Sequence, residues 1–180
     1  MASIKGFQMK NIKKTQGIEG CGCTATMYLN GKKIGTFADY GDGGPEDVKY
    51  VSKEAEMNMM KVIIEYAKEN PDETIMEIYK SRPNQYEEEC KKFKQFHPYI
   101  PDEDITLATM SSNSIVYIVA EFLDLWTIEK LFKKYQKEGY KAIAVDEEKV
   151  HVYHANWSDD KIRERAKGKT LYMSLEDFCK

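Results

Sequence analysis

Two cysteines separated by a single residue are the first candidates for chemistry in this sequence. Cys21 and Cys23 lie in a run that alternates apolar and polar residues, so a strand would place both thiols on one face. Zinc binding requires such a pair, and His151 and His154 could complete a Cys₂His₂ site. Residues three apart on a strand point to opposite faces, however, which makes these histidines poor joint ligands. We therefore expect two buried, reduced thiols and no metal.

A glycine-rich acidic stretch, "GDGGPED" from Gly41 to Asp47, is the second candidate. A phosphate-binding loop needs free backbone amides and usually a lysine, whereas this stretch contains Pro45 and several acids. The spacing of Asp39, Asp42 and Asp47 does not match a calcium loop. A loose cation site, or a metal-dependent hydrolase using this acidic cluster, is the weaker alternative. We interpret the stretch as a turn that its glycines permit.

Other catalytic signatures are missing from the sequence. It contains no nucleophile elbow, no zincin helix, no dinucleotide-binding fingerprint and no kinase motif set. We therefore predict a protein that is not an enzyme, with no catalytic residues and no cofactor.

The amino-acid composition limits which functional classes of protein remain possible. A chain of 180 residues, with 42% hydrophobic and 32% charged residues, can bury one sizeable core. The formal net charge of −3 argues against both a DNA mimic and a generic polybasic nucleic-acid binder. The first residues lack the apolar run of a signal peptide, and the uncharged run 105–120 is too short to span a bilayer. With four cysteines, these features favour a cytoplasmic location without membrane contact.

The pattern of apolar residues and turn signals predicts the elements that must position these groups. Strands are expected at 3–13, 21–29 and 32–40, with Asn30-Gly31 as a hairpin turn between the last two. Helical segments follow, the first capped by Ser52 and running to Asn70, and the next opening at Pro71 and interrupted by Pro83.

The second half is predicted to hold a long helix from Ser112 to Lys137 that ends at Gly139. A second hairpin (140–154), a short helix (158–166) and a terminal strand (170–175) follow. The fold class is therefore α+β, with an N-terminal three-stranded antiparallel sheet packed by helices. We expect a single domain over 1–180, or two lobes, 1–97 and 105–180, joined by 98–104.

The Asn30-Gly31 turn also predicts the faces of the N-terminal sheet. A regular hairpin pairs Leu29 with Lys32 and Met27 with Ile34, and period-two alternation then separates a core face from a mixed face. Six lysines against one acid, Glu19, fall within residues 1–36, so the mixed face is expected to be basic. The residues predicted to bind a partner or nucleic acid on this face are Lys10, Tyr28, Lys33 and Phe37.

Two longer runs carry a family resemblance. "GCTATMYLNGKKIGTFADYGDGG" with the following "YVSKEAE", and the ending "GKTLYMSLEDF", are similar to phage- and plasmid-encoded anti-CRISPR proteins that inhibit the type II CRISPR effector nuclease. This resemblance covers most of the chain and carries no contact residue with it. It implies a non-enzymatic inhibitor whose partner is the nuclease, its guide RNA or its DNA. The alternative is a nucleic-acid-binding accessory protein of a mobile element that uses the basic, aromatic sheet face.

Overall fold

The protein is α+β, as predicted, and its strands form two separate antiparallel sheets. The computed structural model describes residues 1–70, 77, 81–110, 114–147 and 149–179. The described chain forms two compact units: the first unit is Lys5–Ala120, and the second unit is Met1–Ile4 with Glu121–Lys180. The chain passes from the first unit to the second within a long helix, and residues 98–104 belong to the first unit.

The sheet of the first unit has four strands where the sequence predicts three. These are β1 (Phe7–Gln16), β2 (Cys21–Leu29), β3 (Lys32–Ala38) and β4 (Asp47–Tyr50), hydrogen-bonded in that order. The extra strand, β4, is only four residues long and follows the glycine-rich turn directly. Four residues are too few for a clear period-two alternation in the sequence. Pairing with β3 identifies the segment as a strand.

A bulge in β3 changes the predicted register of the Asn30-Gly31 hairpin. Lys32 and Lys33 pair with Leu29 and Tyr28 as expected, but Gly35 rather than Ile34 pairs with Met27. In a regular strand, Ile34 and Phe37 would face opposite sides. The bulge lets both enter the core, where they are 5% and 3% exposed. Burying a large apolar side chain contributes about 1.5–3 kcal/mol, which exceeds the roughly 0.5–1.5 kcal/mol of one lost ladder hydrogen bond.

Three helices complete most of the first unit. Helix α1 (Lys53–Glu69) is capped by the predicted residue, since Ser52 Oγ accepts a hydrogen bond from the Ala55 amide at 3.1 Å. Its apolar side contacts β3 and β4 and buries five side chains: Ala55, Met59, Met60, Ile63 and Ile64. Helices α2 (Pro83–Phe96) and α3 (Ile105–Met110) follow, with a short 3₁₀ turn at Asp102–Asp104.

Pro83 has a different role from the one expected. Pro83 occupies the first turn of α2 and so begins a helix, where the sequence predicted an interruption. The helical stretch predicted to open at Pro71 lies mostly outside the described residues, as does Ser112, the predicted start of the long helix. Within the part of the chain that the structure describes, no helix is long and apolar enough to cross a membrane.

The second unit follows the predicted element order. The long helix α4 (Ser114–Lys137) enters it at Glu121 and ends before Gly139, which has the positive φ of 91° expected of a terminal glycine. Strands β5 (Tyr140–Val145), β6 (Val150–His154) and β7 (Thr170–Tyr172) form an antiparallel sheet of order β6-β5-β7. Helix α5 (Asp159–Arg165) contributes Ile162 to a cluster with Ala142, Ala144, Tyr153 and Ala166.

A buried carboxylate connects the N-terminal residues to α4 within the second unit. Glu129 is 2% exposed, and its Oε2 accepts a hydrogen bond from the Ala2 amide at 2.9 Å. Its Oε1 forms ion pairs with Lys133 Nζ at 2.5 Å and with the Met1 amino group at 3.3 Å. Burial raises the pKa of Glu129, but the hydrogen bonds from Lys133 and Ala2 outweigh it, so the pKa lies below its usual value. Glu129 is therefore charged in the folded protein at neutral pH.

Candidate nucleic-acid interface

The face of the four-stranded sheet opposite its core is basic. Residues paired across antiparallel strands share a face, so the register defines this surface row by row. We call it the open face; its residues are Gln8, Lys10, Lys13, Thr24, Thr26, Tyr28, Lys33, Thr36, Ala38, Asp47 and Lys49. None of them is buried. The set contains four lysines and one carboxylate, so this surface carries a net positive charge.

Three of the four residues predicted for this surface do lie on it. Lys10 and Tyr28 are half-buried and Lys33 is exposed. The Lys10 ammonium lies 4.5 Å from the centroid of the Tyr28 ring, so a cation–π contact occupies one side of that ring. The placement of Phe37 on this face was wrong, because the β3 bulge moves its side chain into the core.

Sequence reasoning missed three residues of the surface. Lys13 lies beyond a bulge between Lys10 and Lys13 in β1, where Asn11 has a positive φ of 56°. Lys49 lies on the unpredicted β4, and Tyr40, at the edge of the face, is 54% exposed. The alternation of Asp47 and Lys49 with Val48 and Tyr50 was the available signal for the strand, but four residues are too few to separate it from a loop.

The glycine-rich stretch turns the chain between β3 and β4 and packs against the β1–β2 turn. The Glu19 amide donates to the Gly41 carbonyl at 2.9 Å. A Cβ atom on Gly41 would lie 2.3 Å from the Gly20 carbonyl oxygen, and Gly41 has φ of 68°, so only glycine fits. The interpretation as a glycine-permitted turn is confirmed.

Three aspartates in or beside this stretch have partners close to them in sequence. Asp39 accepts a hydrogen bond from the Gly41 amide at 2.8 Å, and Asp42 accepts one from the Gly44 amide at 3.1 Å. Asp47 pairs with Lys49 at 2.7 Å, and this hydrogen bond raises the pKa of Lys49. Both partners are largely exposed to solvent, so the pair is weak and the charged Lys49 can exchange Asp47 for another anion.

The two cysteines of the "CGC" run differ in exposure. Cys23 is 5% exposed and lies in the core as predicted, but Cys21 is exposed, which corrects the expectation that both are buried. The end of the β1–β2 hairpin next to the turn extends past the apolar core. Side chains on one face of β2 are therefore exposed at Cys21 and buried at Cys23. Cys21 Sγ lies 3.0 Å from Oε1 of Gln16 across the hairpin.

A thiol-labelling difference should follow. We expect Cys21 to react rapidly with a thiol reagent such as an aromatic disulfide, and Cys23 to react only on unfolding. Burial, and then the nearby Asp39 carboxylate, raise the pKa of Cys23 and reduce its thiolate fraction. Mass spectrometry of a labelling time course would show this, with Cys21→Ser as the control. Equal rates at both thiols in native protein would contradict it.

Among the described residues, a polar groove in the second unit is another concave surface that carries titratable side chains. It has a volume of about 1190 Å³, and Asp146 Oδ2 lies 2.7 Å from His151 Nε2 at its side. Glu121 and Asp124 also line the groove. Among the described residues, no three His, Cys, Asp or Glu side chains are grouped so that they could hold a metal ion. The open face is therefore the better candidate for a functional surface.

Comparison with known proteins does not assign the chain to a family. No model of a known protein family matches it, and no curated protein or solved structure matches it at a significant level.

Proposed function

We propose that this protein is a non-enzymatic inhibitor of a type II CRISPR effector nuclease, and that it engages the guide- or DNA-bound nuclease through the open face. The family resemblance supplies the target. One structural observation supports the mode of binding: Lys10, Lys13, Lys33 and Lys49 lie on one sheet surface that the core does not use.

The dimensions of the open face suit a polyanion. Neighbouring strands are about 4.8 Å apart, so lysines on β1 and β4 are separated by roughly 14 Å across the sheet. Duplex DNA carries about eight phosphates over that axial length. Several lysines can therefore contact phosphates simultaneously, and each contact releases a condensed counterion.

The second candidate is a nucleic-acid-binding accessory protein of a mobile element. The same lysine-bearing face supports it, since phosphate recognition needs no nuclease partner. The two functions differ in one measurable respect. An inhibitor should associate with guide-loaded nuclease and slow target cleavage, whereas an accessory protein should bind DNA or RNA but leave cleavage unchanged when DNA is in excess.

Charge reversal on the open face tests the proposal. We expect Lys10→Glu with Lys33→Glu to weaken inhibition and nucleic-acid binding at least tenfold. The logarithmic salt dependence of single-strand binding should become less steep by about 1.4, because two phosphate contacts are lost at about 0.7 each. Stability should fall by no more than about 1 kcal/mol, mostly from the Lys10–Tyr28 contact.

A matched control variant makes the same change in net charge away from the open face. Lys61 on α1 and Lys167 after α5 are both exposed, and neither belongs to the open face. Lys61→Glu with Lys167→Glu should inhibit cleavage as well as the unmodified protein does. The measurements are cleavage of a linear target by several guide-loaded type II effectors and co-elution on gel filtration. Absence of both binding and inhibition with every effector at excess protein would refute the proposed function.

A further inference from the structure

A shallow pocket on the open face combines cations, hydroxyls and an exposed ring. Its volume is about 370 Å³, at the lower end of the roughly 300–1,000 Å³ range of small-molecule sites. Lys13 and Lys49 lie on opposite sides of the sheet surface that lines it. Its lining also includes three threonines and one exposed aromatic residue, Thr24, Thr26, Thr36 and Tyr40.

Tyr40 is the aromatic side chain of this pocket that is available to a ligand. It is 54% exposed and lies between Asp39 and Gly41, whose side-chain-to-backbone hydrogen bond of 2.8 Å closes a tight turn at this position. The Gly41 carbonyl is in turn fixed by the Glu19 amide at 2.9 Å. Before the ring, the Asp39 amide donates to the Cys23 carbonyl at 2.8 Å, so the backbone that carries the ring is held on both sides. Tyr28, the other aromatic residue of the face, already has Lys10 over its ring.

We propose that this pocket binds one unpaired base of a single-stranded nucleic acid, stacked on the Tyr40 ring. The flanking phosphates are neutralised by Lys13 and Lys49, and the threonine hydroxyls hydrogen-bond the base edge or the sugar–phosphate backbone. This assignment rests on the proposed function, because it names the ligand class of the same face. It adds the preference for a single strand and the residue that produces it.

Charge and chemistry favour this ligand over a protein surface. A row of threonines between lysines offers hydrogen-bond donors and positive charge, which match phosphate and base edges, and the pocket has one acid, Asp47. Asp47 is already paired with Lys49 in an exposed contact, and a phosphate can replace that weak partner. A base inside a duplex is stacked on both sides and cannot reach Tyr40, whereas an unpaired base can.

Fluorescence anisotropy with a labelled ten-nucleotide oligo-dT and with a labelled duplex of mixed sequence tests the assignment. Tyr40→Ala should bind oligo-dT about tenfold or more weakly, because stacking on an aromatic side chain is lost. Tyr40→Phe keeps the ring and should bind as the unmodified protein does. Phe96→Ala removes a different exposed ring, 75% exposed on α2, and should have no effect. Duplex binding should be the same for all four proteins.

Two results would overturn the assignment. One is equal affinity of Tyr40→Ala and the unmodified protein for oligo-dT at low salt, or no binding of oligo-dT by either. The other is loss of nuclease inhibition by Tyr40→Ala without any change in oligo-dT binding, which would make Tyr40 an anchor for a protein partner. If inhibition is absent but Tyr40→Ala selectively loses oligo-dT, the proposed function fails and the base-binding pocket stands.

Discussion

Replacing Glu129 with alanine is expected to lower the free energy of unfolding of the second unit by about 3–5 kcal/mol. The carboxylate is almost fully buried and accepts a hydrogen bond from the Ala2 amide while pairing with Lys133. Alanine leaves the buried amide of Ala2 without this acceptor and Lys133 without this anion. Chemical denaturation followed by far-UV circular dichroism would measure the loss.

The same helix and the turn after it supply a surface control. Lys134 and Glu138 are also four residues apart, but their charged atoms are 4.0 Å apart and both side chains are exposed. Glu138→Ala should therefore change stability by no more than about 0.5 kcal/mol. Similar losses for the Glu129 and Glu138 substitutions would show that the buried carboxylate does not tie the N-terminal residues to the helix.

Lowering the pH should distinguish the contribution of the Glu129 charge to stability from the contribution of its side-chain packing. Because the folded-state pKa lies below the usual glutamate value, the unfolded state binds the proton more tightly. The ionised carboxylate thus contributes stability that is fully present above the usual pKa and is lost as the pH falls through the folded-state pKa. The stability difference between the unmodified protein and Glu129→Gln should be constant near neutral pH and shrink as the pH falls below the usual glutamate pKa. A difference that stays constant in acid would contradict this.

Replacing Phe37 with alanine is expected to cost about 3–5 kcal/mol in the first unit. The Phe37 side chain is 3% exposed. The β3 bulge shifts the register so that Phe37 and Ile34 both lie in the core. Removing the ring leaves a cavity and removes the apolar burial that compensates for the bulge. Thermal unfolding of the purified variant would show the effect as a lower Tm.

Tyr40→Ala is the matched control for Phe37→Ala. It removes an aromatic ring three residues further along, from a side chain that is 54% exposed, and should change stability by no more than about 0.5 kcal/mol. The two variants thus separate stability from binding: Phe37→Ala should unfold more readily, and Tyr40→Ala should lose single-strand affinity. A stable Phe37→Ala that binds nucleic acid poorly would put Phe37 back on the binding surface.

Local signals were enough to predict most of the elements. The Asn30-Gly31 turn forms with both residues at positive φ, Ser52 caps α1, and Gly139 follows the end of α4. Each depends on one or two residues whose own conformational preference decides the outcome. The α+β class and the order of the second hairpin, short helix and terminal strand follow from similar signals.

The candidate surface was predicted only in part, because its membership depends on register. Lys10, Tyr28 and Lys33 lie on it. Regular alternation places them correctly, because Lys10 precedes the β1 bulge and the other two lie beside the hairpin turn. Beyond one bulge in β1 and another in β3, the alternation is shifted by one residue, so Lys13 joins the face and Phe37 leaves it. Whether these residues bind a partner stays a prediction.

The sequence by itself determined the fold class, the hairpin turn, the helix cap and the basic character of the first strands. Tertiary structure alone decided that β4 exists, that Cys21 is solvated while Cys23 is buried, and that Phe37 belongs to the core. The physical reason is the range of the forces involved. Turns and caps are set by contacts between neighbouring residues, whereas a bulge is chosen by the total apolar area that the whole sheet and α1 bury together.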